Sequence, residues 1–152
     1  MPGCSIIYKN KRVGIRGEEF FTFKFRSMYQ KDSTGEQFGE SGHEAVAREQ
    51  KLIEEKGVRE GPLYKIAVDP RITPCGKIFR RSSIDELPQF WNVLLGSMSV
   101  VGPSPHQPRE VVQYQAEYPR VFTLKPGVTG LAQISGRSDL TFEEEIRLDT
   151  LY

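Results

Sequence analysis

The sequence predicts a mixed α/β fold, and three observations support this. Residues 5–28 alternate apolar and polar side chains around a glycine-containing turn, which is typical of a β-hairpin. Residues 84–98 carry apolar side chains at helical spacing, and residues 140–152 are rich in helix formers. A length of 152 residues suits one domain. We therefore expect a single domain over 1–152 in which the hairpin and several amphipathic helices surround one site.

The hairpin is predicted from its turn and from its alternation. The turn lies in VGIRG at 13–17, where the glycines allow a tight reversal. From Phe21 to Phe25 every second residue is phenylalanine, which gives one apolar face. Lys24 and Arg26 therefore share the opposite face, where two neighbouring cations would suit a diphosphate.

The segment 29–62 differs from its surroundings. Its first half is polar and rich in glycine, and HEAVAREQKLIEEKG follows at 43–57. That stretch predicts a helix ended by Gly57. Because its apolar content is small, we expect an exposed helix or a mobile excursion. Downstream, Asp69-Pro70-Arg71 favours a turn over a phosphate contact, and Cys75 is expected in a turn.

An apolar stripe marks 84–98 as the strongest helix prediction. Its members follow the spacing i, i+3, i+4, i+7 and i+8, and Gly96 is a plausible stop. The stripe either faces the core, which we favour, or lies on a bilayer. Its members are Leu87, Phe90, Trp91, Leu94 and Leu95.

The remaining third of the chain predicts a proline-rich loop and then two further helices. REVVQYQAEY at 109–118 predicts the first helix, and 140–152 the second. Between them, 125–137 is a loop or short strand punctuated by glycines, which we expect to serve backbone turns.

Charge and cysteine content exclude few classes of protein. The net charge is +1, from 21 basic and 20 acidic residues, which argues against nucleic acid as a partner. The alternating Phe and Lys/Arg of the hairpin nevertheless keep an RNA-binding module as a third hypothesis. Cys4 and Cys75 form no disulfide framework and favour a reduced, cytoplasmic setting. Because the first residues lack an apolar run, we expect the chain as written to be soluble or peripheral.

Two adjacent acids, Asp85 and Glu86, pose the main chemical question. Ser83 and Glu86 match a helix capping box, and local physics alone favours that interpretation. Pro88 complicates it, because a cap at Ser83 would put the proline in the second turn. The alternative is a carboxylate that attacks phosphorus, assisted by cations. The candidate cations are Lys24, Arg26, Arg80 and Arg81.

Three motifs in this order resemble the bacterial sugar transferase family, the polyprenyl-phosphate phosphoglycosyl transferases. They are KFRSM at 24–28, DPRITPCGKIFRRSSIDELPQFWNVLLGSMSVVGPSP at 69–105 and LKPGVTGLAQISGR at 124–137. The resemblance covers nearly the whole chain apart from 29–62. Each motif is weak alone, and their combination is specific.

The resemblance implies a two-step transfer. A carboxylate, at Asp85 in this sequence, attacks the β-phosphate of a UDP-sugar and releases UMP. A polyprenyl phosphate then takes the sugar phosphate, which starts the synthesis of exopolysaccharide, capsule or O-antigen. Glu86 would deprotonate the lipid phosphate or bind Mg²⁺. The resemblance places such enzymes at the cytoplasmic face of the bacterial inner membrane, and a homodimer is one assembly left open.

The same resemblance assigns ligands. Asp85 and Glu86 are the expected Mg²⁺ ligands, with a backbone carbonyl or the Ser27 hydroxyl completing the shell. The resemblance also implies substrate contacts at Lys24, Arg26 and Ser27. Independently of the resemblance, Arg80 and Arg81 are candidates because they closely precede the acidic pair, and Arg137 is a candidate after the glycine-rich loop.

The sequence departs from the family pattern in three ways. The family has an apolar re-entrant helix before the hairpin and further sequence after Tyr152, so we expect this domain to be truncated at both ends. The family's Gly-Pro-Arg-Pro has a serine at Ser104 here. Arg109 either replaces the missing charge or is simply solvated. These departures support an alternative, a non-catalytic remnant that binds a membrane or a partner protein.

Overall fold

The computed structural model describes residues 5–34, 38–57, 66, 68–136 and 139–152, and it confirms a mixed α/β fold. Arg137 therefore lies outside the described residues, as do most of 58–67. The elements in chain order are β1 (Ile7–Val13), β2 (Glu19–Phe25), α1 (Gly39–Lys56), α2 (Pro74–Ser82), α3 (Gln89–Leu94), β3 (Ser99–Val101), α4 (Pro108–Tyr114), β4 (Gly127–Thr129), α5 (Leu131–Ser135) and α6 (Phe142–Asp149).

The N-terminal hairpin is confirmed. β1 and β2 pair antiparallel from Ile7 opposite Phe25 to Val13 opposite Glu19. The turn between them places Gly17 at φ +80, a conformation that glycine adopts without steric cost. Along β2, Thr22 is fully buried while its neighbour Phe21 is 43% exposed, which reflects the alternation of the two faces of a strand.

β3 and β4 form a separate parallel pair, with Ser99 opposite Gly127 and Val101 opposite Thr129. Gly127 and Gly130 allow the backbone around them to approach that of Gly102 closely. A Cβ on Gly127 would overlap the backbone of Gly102, and one on Gly130 would overlap the Gly102 carbonyl. The prediction that the glycines of 125–137 serve turns was therefore wrong for these two positions.

The main apolar core lies in the C-terminal part of the chain. Val111 and Tyr114 from α4, Phe122 from the following 3₁₀ turn and Ile146 from α6 pack together, and Val13 joins them from the end of β1. Ile146 has no exposed surface. Among the described residues of the hairpin, Val13 at the end of β1 is the one that joins this cluster.

The helix predicted for 84–98 is shorter and is broken. A 3₁₀ turn covers Ile84–Glu86, and α3 begins only after Pro88, which lacks the N–H that a continuous helix would use. The apolar stripe on this segment points outward, since Trp91 is 60% exposed and Leu94 is 77% exposed. The favoured prediction that the stripe faces the core was wrong.

Polar side chains hold the inner face of α3. Gln89 and Asn92 are almost fully buried. Asn92 Oδ1 accepts the Phe23 N–H at 3.0 Å, and Asn92 Nδ2 donates to the Phe21 carbonyl at 2.7 Å. The side chain therefore bonds to the edge of β2 as a further strand would, and this turns the apolar stripe away from the interior.

α1 is a largely exposed helix, as predicted, and it ends at Gly57. It is anchored by one buried acid, because Glu49 accepts from Arg71 at 2.7 Å and pairs with Arg109 at 2.6 Å. Cys75 lies exposed in the first turn of α2, so its predicted place in a turn was wrong. In the described part of the chain no helix is long and apolar enough to cross a membrane.

Candidate functional site

One cleft of about 650 Å³ contains most of the residues singled out in the sequence. It opens between the hairpin, α2, the 3₁₀ turn before α3 and the loop that leads into α4. The expected site residues that line it are Lys24, Arg26, Ser27, Arg80, Asp85 and Glu86. Chain positions more than 60 residues apart thus meet in one place.

Ser83, which has a left-handed backbone conformation, separates α2 from the 3₁₀ turn that carries the acidic pair. α2 ends at Ser83, whose φ of 57 reverses the chain direction, and the 3₁₀ turn Ile84–Glu86 follows at once. The Glu86 N–H bonds the Ser83 carbonyl, and within the described residues Ser83 makes no side-chain capping bond there. The Glu86 carboxylate instead meets Lys24. The capping-box interpretation was therefore wrong.

Asp85 is the buried member of the pair, with 8% of its surface exposed. Burial raises the pKa of its carboxyl group, and the neighbouring charge of Glu86 raises it further. Lys24 and Arg80 act in the opposite direction, yet the net shift remains upward. The Asp85 carboxylate is therefore less well solvated than that of an exposed aspartate.

Glu86 and Lys24 form the closest charged pair of the cleft. Lys24 Nζ lies 2.8 Å from Glu86 Oε1, and both side chains are about one-quarter exposed. A partly exposed pair of this kind contributes little to stability. It can exchange partners at low cost, so Lys24 is able to leave Glu86 for a phosphate.

Arg80 and Ser27 connect α2 to the end of β2. Arg80 Nε donates to Ser27 Oγ at 3.0 Å, and the Ser27 carbonyl accepts from the Thr73 N–H at 3.0 Å. Gly76 lets α2 approach this carbonyl, because a Cβ there would overlap it. The Ser27 oxygens are therefore already engaged within the protein, which weighs against their expected role in a Mg²⁺ shell.

Within the part of the chain that the structure describes, Arg26 and Arg81 make no hydrogen bond or ion pair with the acidic pair. Arg26 lines the cleft but bonds Ser33 Oγ at 2.7 Å, and its guanidinium lies 5.4 Å from the centre of the Tyr8 ring. Lys24 and Arg26 therefore do not act as one paired cradle in this arrangement. Arg81 is exposed on α2 and is outside the described lining of the cleft.

The donor set at the acidic pair fits Mg²⁺. Mg²⁺ is commonly held by one or two carboxylates together with substrate phosphates and water. Asp85 and Glu86 both line the cleft. Such an ion would also relieve the repulsion between these two adjacent acids.

Arg12 was missed by the sequence reasoning, although it lines the same cleft. Arg12 Nη1 donates to the Pro105 carbonyl at 3.2 Å and lies 3.8 Å from Glu110 Oε2. It is thus the basic side chain beside the Ser104 loop. Arg109, which the sequence left open as either a replacement for the family arginine or a solvated side chain, pairs with Glu49. The separation of residues 12 and 105 along the chain hid this relation.

Asp69 and Arg71 form the turn that the sequence favoured. The Arg71 N–H donates to Asp69 Oδ1 at 2.9 Å, and the two side chains pair at 2.7 Å. Both residues also border the cleft. Because Arg71 is buried and held by two acids, its main role is structural.

Comparison with known proteins identifies the family of this chain. A family model described as bacterial sugar transferase matches residues 1–152. The chain is 37% identical over 158 residues to a UDP-galactose-lipid carrier transferase of Erwinia amylovora. It is 38% identical over 158 residues to an undecaprenyl-phosphate galactose phosphotransferase of Salmonella typhimurium, and 37% identical over 151 residues to the exopolysaccharide production protein ExoY of Rhizobium meliloti.

Each of these alignments covers 99% of the chain. The chain spans 29% of the length of the first two relatives and 62% of the third.

Proposed function

We propose that this chain, which belongs to the bacterial sugar transferase family, transfers a sugar-1-phosphate from a UDP-sugar to polyprenyl phosphate through a covalent intermediate on Asp85. The observation that carries the proposal is the buried Asp85 carboxylate in a cleft lined by Lys24 and Arg80. The names of the relatives, a UDP-galactose-lipid carrier transferase and an undecaprenyl-phosphate galactose phosphotransferase, support this donor and acceptor class.

In the first step, an oxygen of the Asp85 carboxylate attacks the β-phosphorus of the UDP-sugar. A new oxygen–phosphorus bond forms, and the bond between that phosphorus and the oxygen bridging to the α-phosphate breaks, so UMP leaves. Lys24 and Arg80 stabilise the negative charge on the phosphoryl oxygens. Mg²⁺ held by Asp85 and Glu86 would supply further neutralisation of that charge.

In the second step, an oxygen of the polyprenyl phosphate attacks the phosphorus held on Asp85. The acyl phosphate bond breaks, Asp85 returns to a carboxylate, and a polyprenyl diphosphate sugar forms. Glu86 accepts the proton of the lipid phosphate if that phosphate arrives protonated. This role requires Lys24 to move from Glu86 to the transferred phosphate.

The exposed apolar stripe supports an acceptor that is delivered from a bilayer. Leu87, Trp91 and Leu94 are each more than half exposed, and they belong to the segment that directly follows Asp85. An amphipathic segment of this kind can lie in the headgroup region. We place the domain at the cytoplasmic face of the bacterial inner membrane, where the lipid phosphate would enter the cleft beside this segment.

The decisive experiment is intact-protein mass spectrometry after incubation with Mg²⁺ and a panel of UDP-sugars. We expect the native chain to gain the mass of a sugar phosphate with one donor, and Asp85→Asn to gain none. Asp139→Asn changes an exposed aspartate and is the matched control, which should react as the native chain does.

An adduct of equal yield on Asp85→Asn would refute Asp85 as the nucleophile. Absence of an adduct on the folded native chain with every donor would favour the non-catalytic remnant. Vesicle binding without turnover would then be the property to measure.

A further inference from the structure

Three potential metal ligands converge at the cleft, and none of them belongs to the acidic pair. His106 lies in the loop before α4, while Glu145 and Asp149 lie one turn apart on α6. His106 Nε2 is 3.9 Å from Glu145 Oε1 and 3.7 Å from Asp149 Oδ2. The ligand atoms of the three residues all lie within 4.8 Å of one another.

The polar atoms at this position are buried and incompletely bonded. His106 is 3% exposed and Asp149 is 2% exposed. Within the part of the chain that the structure describes, His106 Nε2 and Asp149 Oδ1 have no hydrogen-bond partner. Unpaired buried groups of this kind are rare, and an unseen ion is one of their recognised explanations.

Neighbouring groups orient these side chains. The Tyr114 hydroxyl contacts His106 Nδ1, which directs Nε2 toward the two carboxylates. The Ser104 N–H donates to Asp149 Oδ2 at 3.0 Å. Metal-binding histidines and carboxylates are typically held by such outer hydrogen bonds, which fix the tautomer and the ring orientation.

We propose that His106, Glu145 and Asp149 bind a divalent first-row transition ion of the Zn²⁺ class. One imidazole nitrogen and two carboxylate oxygens form a three-ligand set that leaves a further position open. Imidazole favours Zn²⁺ and its neighbours over Mg²⁺. Ligand atoms at about 2.0–2.2 Å from one tetrahedral ion lie roughly 3.4 Å from one another, so the three side chains would move closer together on binding.

The charge of the cluster supports the same assignment. The cluster sets the two acidic side chains of Glu145 and Asp149 beside the His106 imidazole, and His106 and Glu145 both border the cleft. A divalent ion held by these residues would balance the two carboxylates. The ion would provide positive charge on the wall formed by the Ser104 loop, where the side chain itself provides none.

The test measures Zn²⁺ binding by equilibrium dialysis with elemental analysis. The protein carries Asp85→Asn and Glu86→Gln, which remove the proposed Mg²⁺ ligands, and both cysteines are replaced by serine. We expect one Zn²⁺ per chain, undiminished by excess Mg²⁺. This readout needs no turnover, so its outcome is independent of the proposed function.

Matched variants locate the ion. His106→Gln and Glu145→Gln are expected to weaken Zn²⁺ binding by at least about tenfold, the loss that even an outer-shell change commonly causes. His43→Gln and Glu143→Gln change exposed residues of the same types and should bind as the parent does. X-ray absorption of the bound ion should show one imidazole ligand, and this signal should disappear in His106→Gln.

Absence of one-to-one binding at micromolar Zn²⁺ would overturn the proposal. Unchanged affinity in the two ligand variants would do the same. If His106→Gln fails to fold, the Zn²⁺ affinity of Glu145→Gln decides between the outcomes, since the Glu145 side chain is 15% exposed. Circular dichroism checks that this variant is folded.

Discussion

The segment from α4 to α6 centres on apolar side chains such as Val111, Phe122 and Ile146, whereas the segment from β2 to α3 buries Thr22 and Asn92. In the first region Val111, Phe122 and Ile146 form a buried apolar cluster, although Val112 on α4 is 82% exposed. In the second region the large apolar residues of α3 point outward. The two regions therefore maintain their shape by different forces.

The apolar cluster mainly stabilises the fold, whereas the hydrogen-bonded region mainly positions the side chains of the cleft. Apolar burial is non-directional and supplies most of the free energy of folding. Hydrogen bonds contribute less net free energy, yet they fix distances and angles. Around Asp85 the protein uses the bonds of Asn92 to the β2 backbone and the bond that Ser27 accepts from Arg80, and it leaves the apolar stripe exposed.

The largest expected effect is on the apolar region. Ile146→Ala removes a fully buried side chain and should lower the free energy of unfolding by about 2–5 kcal/mol. Leu94→Ala, on the exposed stripe, should stay within about 0.5 kcal/mol of the native chain. Urea denaturation of both variants measures the contrast. Equal losses would show that the stripe is packed in solution.

A smaller effect is expected at the polar anchor of α3. Asn92→Ala leaves the Phe23 N–H and the Phe21 carbonyl without their partner and should cost about 1–3 kcal/mol. Gln113→Ala removes an exposed bond to the Arg109 carbonyl and should cost little. The rate of adduct formation, measured with each variant folded, should fall for Asn92→Ala alone. An unchanged rate would show that Asn92 does not position Asp85.

The smallest expected effect concerns Asp85 itself. Because its pKa in the folded chain is raised, its contribution to stability is fully present below the unfolded pKa, near 3.8, and is lost as pH rises through the folded value. At neutral pH the charged Asp85 therefore costs stability. Asp85→Asn should raise the melting temperature at pH 7, and the gain should vanish below pH 3.8.

Thermal unfolding across a pH series measures this difference, with Asp139→Asn as the exposed control. A gain that persists unchanged in acid would exclude the carboxylate charge as its cause. A decrease at pH 7 would show that contacts to Lys24 outweigh the burial of the charge.

Local patterns predicted the hairpin, α1 and α6, because each depends on neighbours within a few residues. The alternation from Phe21 to Phe25 and the helix formers before Gly57 are signals of this kind. The capping box failed for a physical reason of longer range. The Glu86 carboxylate can either accept a backbone N–H in a capping box or pair with Lys24. The second option depends on the fold, which brings Lys24 Nζ to 2.8 Å from Glu86 Oε1.

The cleft was predictable in part. The family motifs identified Asp85, Glu86, Lys24 and Arg80, and the structure brings them together. Arg12 and His106 carried no local signal, since each acquires its place through contacts far along the chain. Arg12 bonds Pro105, and His106 faces two acids of α6.

By itself, the sequence determined the alternation of polar and apolar residues in the hairpin and the apolar periodicity of the helices, because both follow from spacing along the chain. It also determined which residue types are available for phosphate chemistry. Only the tertiary structure decided which face of α3 is buried. Asn92 satisfies two backbone groups at the edge of β2. Burying those groups unpaired would cost more than leaving Leu94 in water, so the polar face turned inward.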